Sequence, residues 1–318
     1  MTQTSWRQRT LNNTIRATGI GLHTGQRSTI TLRPAPPDSG IVFYRSDLAP
    51  DTPIRANLAN VVDTHLGTTL APSADAPGVA TVEHLLSALA GLGVDNLFVD
   101  VDGPEIPIMD GSAGPFVFLL ESAGVREQSH ARRLIRVRRR VEVRDGDKWA
   151  RLDPYPGFRA EFTIDFDHPV FEAGQQSLGI DFTHGSYVKE ISRARTFGFL
   201  RDLEQLRSQD RALGGSTDNA IVLDERGVVN RDGLRSPDEF VRHKLLDAVG
   251  DLYLLGCGLF GAYSASRSGH ALNVALLGAL LNDKRAWQEF TPQGPTESGL
   301  PALVDVKNRP IGDPGFAA

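Results

Sequence analysis

The stretch VRHKLLDAVGDLYLLG, residues 241–256, predicts an α-helix that carries three ionisable side chains on one face. His243, Asp247 and Asp251 are spaced by four, and because an α-helix has 3.6 residues per turn, such side chains lie one above the other. Leucines and valines cover so much of the rest that we expect a mostly buried helix. A buried carboxylate is costly unless it is paired, hydrogen-bonded or bound to metal. The stripe therefore predicts a partner elsewhere in the chain; the alternative is an ordinary ion pair on a helix surface.

The composition is that of an ordinary globular protein, and it excludes several classes. Of 318 residues, 40% are hydrophobic and 23% are charged, with a formal net charge of -5. The length favours two domains, and the negative charge argues against nucleic acid as a partner. No segment reaches the roughly 18–20 apolar residues of a membrane span, and the N-terminus lacks a signal-peptide hydrophobic region. With Cys257 as its only cysteine, the chain cannot form an internal disulfide, so we expect a cytoplasmic protein.

The first half of the chain mixes strand and helix patterns. We predict strands at residues 28–33, 41–45 and 96–103, and helices at 82–92 and 116–124. The loop PAPPDSG is expected to join the first two strands as a hairpin. Thr81 is expected to cap the helix that follows it. These elements indicate an α+β domain at residues 1–128, which ends in the polar segment 124–133.

The second half, residues 129–290, is predicted to be another α+β domain. Its expected elements are strands at 135–144, 158–166, 219–230 and 258–266, a helix at 197–209, the helix at 241–256 and a last helix from His270. Six arginines lie between residues 132 and 140, and we interpret them as the solvated face of a strand rather than as an anion patch. Residues 291–318 are rich in proline and glycine and are expected to form a mobile tail.

A candidate partner for the stripe lies in TVEHLLSAL, residues 81–89, where Glu83 precedes His84 near a helix start. In zinc hydrolases a glutamate beside a ligating histidine can take a proton from metal-activated water. His84, His243 and Asp247 together would supply three N/O ligands, the number that leaves one position of a catalytic zinc open. The sequence thus predicts a metal site of these three residues, with Glu83 as base and Asp251 outside the ligand set.

His270, in the segment SGHALN, stands at the start of the last predicted helix. One interpretation is a neutral histidine that caps nearby backbone groups. The other is a pair with Asp251, in which the carboxylate would raise the pKa of the imidazole and make it a cationic stabiliser or proton donor. The sequence does not decide between them.

These motifs together resemble the UDP-3-O-acyl-N-acetylglucosamine deacetylase family of zinc amidases, whose reaction commits bacteria to lipid A synthesis. The segments that carry the resemblance are GIGLHTG (19–25), TVEHLLSAL (81–89), IMDGSAGPF (108–116), FTIDFDHP (162–169), SRARTFGF (192–199), LGGSTDNAIV (213–222), DEFVRHKLLDAVGDL (238–252) and SGHALN (268–273). They occur in the family's order and leave only the C-terminal tail outside the resemblance.

The resemblance implies roles for specific residues. It implies zinc ligands at His84, His243 and Asp247, a general base at Glu83, and an electrostatic catalyst or general acid at His270 that Asp251 orients. It further implies that Thr196 hydrogen-bonds the developing oxyanion, that Phe197 packs on the sugar, and that Lys244 contacts the nucleotide-bearing substrate. An acyl-chain passage is expected in the second domain with Leu200 and Leu203 in its lining, although both could equally be ordinary core.

The resemblance also implies a fold and partners. The fold would be two similar S5-like domains, each a β-sheet packed against α-helices, forming a layered sandwich with the active site between them. The substrate would be a UDP-linked acylated glucosamine, and the cofactor Zn2+, with Fe2+ as an alternative in the cell. We expect a monomer with at most peripheral membrane contact. Two other functions stay open: a metal-dependent amidase for a different sugar amide, and an RNA-binding module, which the net charge of -5 disfavours.

Overall fold

The computed structural model describes residues 6–48, 52–172, 176–182 and 187–291. The strands in this part are β1 (Arg7–Leu11), β2 (Ile15–Ile20), β3 (Arg27–Pro34), β4 (Ile41–Arg45), β5 (Ile54–Arg55), β6 (Val61–Asp63), β7 (Thr69–Leu70), β8 (Leu97–Val101), β9 (Val125–Ala131), β10 (Leu134–Val137), β11 (Val141–Asp145), β12 (Lys148–Asp153), β13 (Phe158–Thr163), β14 (Ser177–Asp181), β15 (Phe197–Phe199), β16 (Ile221–Leu223), β17 (Gly258–Ser266) and β18 (Trp287–Phe290). The α-helices are α1 (Glu83–Leu92), α2 (Gly114–Ala123), α3 (Pro169–Glu172), α4 (Tyr187–Glu190), α5 (Leu203–Ser208), α6 (Glu239–Leu252) and α7 (His270–Asn282). The fold is mixed, with strands and helices in both halves of the chain.

The first half is built on a five-stranded sheet in the order β2-β3-β8-β4-β5. The predicted strands at 28–33 and 41–45 are confirmed as β3 and β4, but their predicted hairpin is wrong because β8 lies between them. It pairs antiparallel with β3 and parallel with β4. Leu97, Val99 and Val101 of β8 are fully buried, and a strand of this kind is stabilised by neighbours on both edges.

Helix α1 begins at Glu83 and ends with Gly93 in the left-handed conformation, at φ 65°. The predicted helix is thus confirmed, but the predicted cap at Thr81 is wrong. Thr81 itself is left-handed, at φ 57°. Its hydroxyl donates to Glu105 Oε1 at 2.9 Å, and no side chain accepts from the first N–H groups of α1 as a cap would. The left-handed backbone of Thr81 differs from the extended conformation of an N-cap residue, and the charge-assisted bond to the buried Glu105 carboxylate orients the hydroxyl away from that role.

The polar segment between the two halves is a strand and not an open linker. It forms β9, which pairs antiparallel with β1, so residue 128 lies inside a paired strand. The single strand predicted at 135–144 is wrong, because the chain divides into β10 and β11. Between these two strands the backbone N–H of Arg138 donates to the Ala286 carbonyl.

At least three of the six arginines between residues 132 and 140 pair with acids. Arg133 pairs with Glu289 and Arg140 with Asp153, in the manner of a polar strand face. Arg132 differs from them, since it is buried and its Nε lies 2.9 Å from Asp95 Oδ1.

The second half is built on a seven-stranded sheet in which β17 pairs with β10, β12 and β13. Helix α7 packs on β11 and β12, while α6 packs on β13 and β14. Helices α1 and α6 pack extensively against each other and join the two halves. They approach so closely at Gly250 that a Cβ atom there would lie 2.1 Å from the Glu83 carbonyl oxygen. Only glycine allows this separation.

The helix predicted at 197–209 is correct only in its second part. Residues Phe197–Phe199 form β15, which pairs parallel with β16, and the chain passes through a short 3-10 turn into α5. The ring of Phe197 lies 5.0 Å, centroid to centroid, from that of Phe240 on α6. This aromatic packing and the pairing with β16 outweigh the helical spacing of the leucines that follow.

The strand pattern predicted at 219–230 shortens to β16, with a single bridge between Leu223 and Val228. The strand at 258–266 and the helix from His270 are confirmed as β17 and α7. Of the predicted tail, residues 292–318 lie outside the described residues. Among the described helices, none has both the length and the apolar character needed to cross a membrane.

Candidate active site

Helices α1 and α6 bring together the three side chains predicted as metal ligands. His84, His243 and Asp247 are buried, and one ligand atom from each lies within 4.8 Å of the other two. Asp247 Oδ1 is 3.3 Å from His243 Nε2 and 3.5 Å from His84 Nε2. The two imidazole rings are perpendicular, with centroids 5.1 Å apart. The three side chains thus converge on one point between the helices.

The donor set fits a divalent metal ion. Within the described part of the chain, the buried Asp247 Oδ1 has no hydrogen-bond partner, which is costly for a carboxylate unless a cation neutralises it. His243 Nδ1 lies 3.0 Å from the Ala194 carbonyl, which can only accept, so Nδ1 carries the proton and the lone pair is on Nε2. Burial lowers the pKa of His243 to about 3, so the ring is neutral at neutral pH, the form that binds metals.

The second carboxylate oxygen of Asp247 accepts from the ammonium group of Lys244, with Nζ and Oδ2 2.6 Å apart. Burial opposes the charge on Lys244, but the neighbouring Asp247 carboxylate outweighs burial and raises the pKa of the ammonium group. Burial likewise opposes the charge on Asp247, and the adjacent His243 and Lys244 side chains outweigh it and hold its pKa well below the usual range. Asp247 therefore stays ionised.

Glu83 lies at the first turn of α1, next to His84 in sequence. It is buried, and its Oε2 accepts from the backbone N–H of Thr68 at 3.0 Å. Its other oxygen, Oε1, lies 3.9 Å from His270 Nε2. Burial raises the pKa of Glu83, which brings the carboxylate closer to the basicity that a general base needs at neutral pH.

His270 pairs with Asp251, as the second of the two interpretations predicted. Its Nδ1 lies 2.8 Å from Asp251 Oδ2, and it makes no side-chain cap of α7, whose first flanking residue is Gly269. Burial opposes the charge on His270, but the Asp251 carboxylate outweighs it and raises the pKa of the imidazole to about 9. His270 is therefore cationic at neutral pH, and its Nε2 faces Glu83 Oε1.

Thr196 and Phe197 follow the loop that carries Ala194, the residue whose carbonyl accepts from His243. The backbone of Thr196 is fixed by two hydrogen bonds of 2.8 Å, from its N–H to the Gly111 carbonyl and from the Ile221 N–H to its own carbonyl. The ring centroid of Phe197 is 6.3 Å from that of His243. Phe197 therefore borders a candidate metal ligand, and Thr196 is fixed two residues after Ala194.

The two candidate passage residues lie further along, after β15. Leu200 is 49% exposed, and Leu203 is half-buried at the first turn of α5. Neither belongs to the buried core, so the interpretation of Leu200 and Leu203 as ordinary core is not supported.

Two residues that the sequence analysis did not single out support this site. Glu239 lies four residues before His243 and extends the stripe on α6 by one turn. It is fully buried and accepts from both the backbone N–H and the guanidinium of Arg195, at 3.0 and 2.8 Å, so it fixes the loop that contains Ala194. The same spacing of four could have revealed it. Thr68, in the loop before β7, had no such signal.

Comparison with known proteins identifies the family. Residues 8–282 match the family described as UDP-3-O-acyl N-acetylglycosamine deacetylase (LpxC). Proteins named UDP-3-O-acyl-N-acetylglucosamine deacetylase are 60% identical in Methylococcus capsulatus, over 96% of this chain and 99% of the relative, and 58% identical in Thioalkalivibrio sulfidiphilus, over 92% and 95%. A third, from Coxiella burnetii, is 55% identical over 92% of this chain and 95% of its own length. The chain therefore belongs to the UDP-3-O-acyl N-acetylglycosamine deacetylase family, whose members hydrolyse an amide bond.

Proposed function

We propose that this protein hydrolyses the N-acetyl group of UDP-3-O-acyl-N-acetylglucosamine, releasing acetate and UDP-3-O-acyl-glucosamine in the committed step of lipid A synthesis. The observation that carries the proposal is the buried group His84, His243 and Asp247, with Glu83 and His270 beside it, in a chain of this family. A metal group flanked by one carboxylate and one imidazolium has the parts that amide hydrolysis requires.

Zinc is the metal that we propose for the site, with Fe2+ as the alternative. Two imidazoles and one carboxylate form a three-residue N/O set that suits a catalytic zinc. A bound divalent ion would act as a Lewis acid that polarises the amide carbonyl and acidifies water. The ligand roles of His84, His243 and Asp247 are supported by their convergence and by the unpartnered Asp247 Oδ1. Metal analysis of the protein purified from its own host would distinguish the two ions.

Glu83 is proposed as the general base. Its raised pKa and its position next to a ligand suit it to accept a proton from water as the amide carbon is attacked. The N–H of Thr68 holds one carboxylate oxygen at 3.0 Å, which leaves Oε1 free to receive that proton. Oε1 also faces His270, so the two groups can share the proton that the departing amine needs.

His270 is proposed to stabilise the negative charge that develops on the amide oxygen. Asp251 keeps its imidazole protonated and fixes the ring by the 2.8 Å contact with Nδ1. We propose the Thr196 hydroxyl as a second donor, because its backbone is fixed two residues after Ala194, whose carbonyl accepts from His243. Removing one such preorganised donor typically costs about 2.7–4 kcal/mol of transition-state stabilisation. Either His270 or Glu83 could finally protonate the leaving amine.

Four surrounding residues are proposed to bind substrate. Phe197 would pack on the sugar, supported by its place at 6.3 Å from His243 in a group of phenylalanine rings. Lys244 would contact the nucleotide-bearing part of the substrate. Leu200 and Leu203 would line the acyl passage, which their incomplete burial allows.

The finer architecture is also proposed. The two sheets, each with its own helices and joined through α1 and α6, support two similar S5-like domains that enclose the site in a layered sandwich. Four points remain predictions: a boundary between the two domains near residue 128, a monomeric state, a cytoplasmic location and at most peripheral contact with membranes.

The experiment that tests the function is acetate release from UDP-3-O-acyl-N-acetylglucosamine by the purified protein. We expect release to stop on chelation and to return when about one equivalent of zinc is added. His84→Ala should keep its fold while it loses both bound metal and activity. Release that is indifferent to chelation would contradict the metal mechanism.

A separate experiment distinguishes the proposed substrate from the alternative, a different sugar amide. A series of substrates that differ only in acyl length separates the two functions, because a site built for a soluble sugar amide gains nothing from the acyl chain. We expect kcat/KM to rise with chain length. A flat series would favour the alternative substrate.

A further inference from the structure

We propose that Thr68 is a positioning residue that holds Glu83 and the Asp251–His270 pair in a fixed relation across α1 and α6. The proposal rests on the function proposed above, since it gives Thr68 a task in the proton transfers of that reaction. It concerns a residue that would touch neither substrate nor metal and that acts through the side chains it binds.

Three hydrogen bonds link Thr68 to both helices. Its backbone N–H donates to Glu83 Oε2 at 3.0 Å, and its hydroxyl donates to Asp251 Oδ1 at 2.7 Å. Its carbonyl accepts from the N–H of Val82, immediately before α1, at 3.2 Å. Thr68 is fully buried, so water does not compete for these groups. One residue therefore fixes the proposed base on α1 and a carboxylate on α6.

The hydroxyl of Thr68 has a specific effect on Asp251. Oδ2 of that carboxylate accepts from His270 Nδ1 and from Asn273 Nδ2, both at 2.8 Å. Oδ1 accepts from the Thr68 hydroxyl, and charge-assisted bonds of this kind are short and directional. With both oxygens held, the carboxylate cannot rotate, and its hydrogen bond to Nδ1 fixes the orientation of the His270 ring. Loss of the hydroxyl would free one oxygen and, through it, the imidazole.

The loop that carries Thr68 is itself pinned in place. Leu66 adopts the left-handed conformation, at φ 63°, and its carbonyl accepts from His23 Nε2 at 3.2 Å. The buried Glu105 accepts from the His23 backbone N–H at 2.9 Å. Gly67 passes so near the base that a Cβ atom there would lie 3.0 Å from Glu83 Oε1. A rigid loop of this kind is what a residue needs in order to hold two others in place.

The test compares Thr68→Val with Thr68→Ser in the full-length, metal-loaded protein. Valine keeps the shape and the backbone bond to Glu83 but removes the hydroxyl, whereas serine keeps the hydroxyl. We expect Thr68→Val to lower kcat by roughly 10–100-fold, as for other residues that orient catalytic groups, with KM and metal content unchanged. Thr68→Ser should keep most of kcat. Thr69→Val, the same change one residue along, is the matched control and should match the wild type.

A second readout does not depend on activity. The ring nitrogens of His270, observed by 15N NMR, should shift in Thr68→Val and keep their wild-type positions in Thr68→Ser and Thr69→Val. If Thr68→Val does not fold, Thr68→Cys, whose thiol is a weak donor, should shift the resonances in the same direction. Resonances of His270 in Thr68→Val, or in Thr68→Cys if the valine variant does not fold, that are identical to those of the wild type would overturn the proposal. Shifted resonances in Thr68→Val, when even the wild-type protein releases no acetate, would support the positioning role while refuting the proposed function.

Discussion

Replacing Asp251 with asparagine should lower the pH above which the protein loses activity. Asparagine has nearly the same shape, but it removes the charge that keeps His270 protonated at a pKa of about 9. A pKa raised from 6.5 to about 9 corresponds to roughly 3 kcal/mol in favour of the protonated ring, at about 1.36 kcal/mol for each pKa unit. The variant loses this stabilisation and keeps the burial that opposes the charge.

The size of the effect follows from the protonated fraction. At pH 8 a group with a pKa of about 9 is about nine-tenths protonated, and one with the ordinary pKa of 6.5 is about 3% protonated. Because burial still opposes the charge in the variant, activity should fall roughly 30-fold or more. Because the pKa of His270 is raised on folding, the stability that its charge contributes is complete below about pH 6.5 and is lost as the pH rises through about 9.

The assay is kcat/KM for acetate release between pH 5 and pH 10, with bound metal measured at each end of the range. We expect the alkaline loss of activity near pH 9 in the wild type and below about pH 7 in Asp251→Asn. Asp100→Asn, which removes a carboxylate from the partly exposed pair with Arg33, controls for the change in net charge and should behave as the wild type. An alkaline limb that stays near pH 9 in metal-loaded Asp251→Asn would refute the role given to this pair.

Three further substitutions test other parts of the structure. Glu239→Gln breaks the buried pair with Arg195. It should lower the free energy of unfolding, measured in urea, by about 3–5 kcal/mol and weaken metal binding. An unchanged metal affinity would mean that other contacts hold the Ala194 loop. Gly250→Ala places a Cβ atom 2.1 Å from the Glu83 carbonyl oxygen and should cost about 1–3 kcal/mol of stability with loss of activity. In the control Gly179→Ala the new Cβ atom lies 3.6 Å from Glu161 Cγ, an ordinary contact distance, so stability should change little. Leu203→Trp should raise KM for a long-chain substrate more than for a short-chain analogue, and equal effects would exclude Leu203 from the acyl passage.

Much of the site could be predicted because it lies on regular elements. The spacing of four on α6 places His243, Asp247 and Asp251 on one face before any tertiary contact is known. The same rule includes Glu239, which went unnoticed because its partner Arg195 lies on a loop. Thr68 could not be found in this way, since its contacts depend on how a loop packs against two helices and no periodic pattern describes that.

The errors in the fold have a similar origin. The turn residues of PAPPDSG predict a hairpin of β3 and β4, yet the apolar strand β8, later in the sequence, lies between them. The helix expected at residue 197 fails because Phe197 packs against Phe240 on a distant element. Thr81 does not cap α1 because the buried Glu105 binds its hydroxyl. In each case a long-range contact outweighed a correct local preference.

The division of the proposed metal ligands between α1 and α6 would have a consequence for how the enzyme matures. His84 is synthesised well before His243 and Asp247, and one imidazole alone holds a divalent ion weakly. Firm capture of the ion must wait until α6 has been made and has docked on α1 at Gly250. A truncated chain, or one whose halves have come together wrongly, would stay without metal and inactive. Loading of the ion would thus act as a final checkpoint on assembly, and it would protect the unfinished chain from trapping whichever ion it meets first.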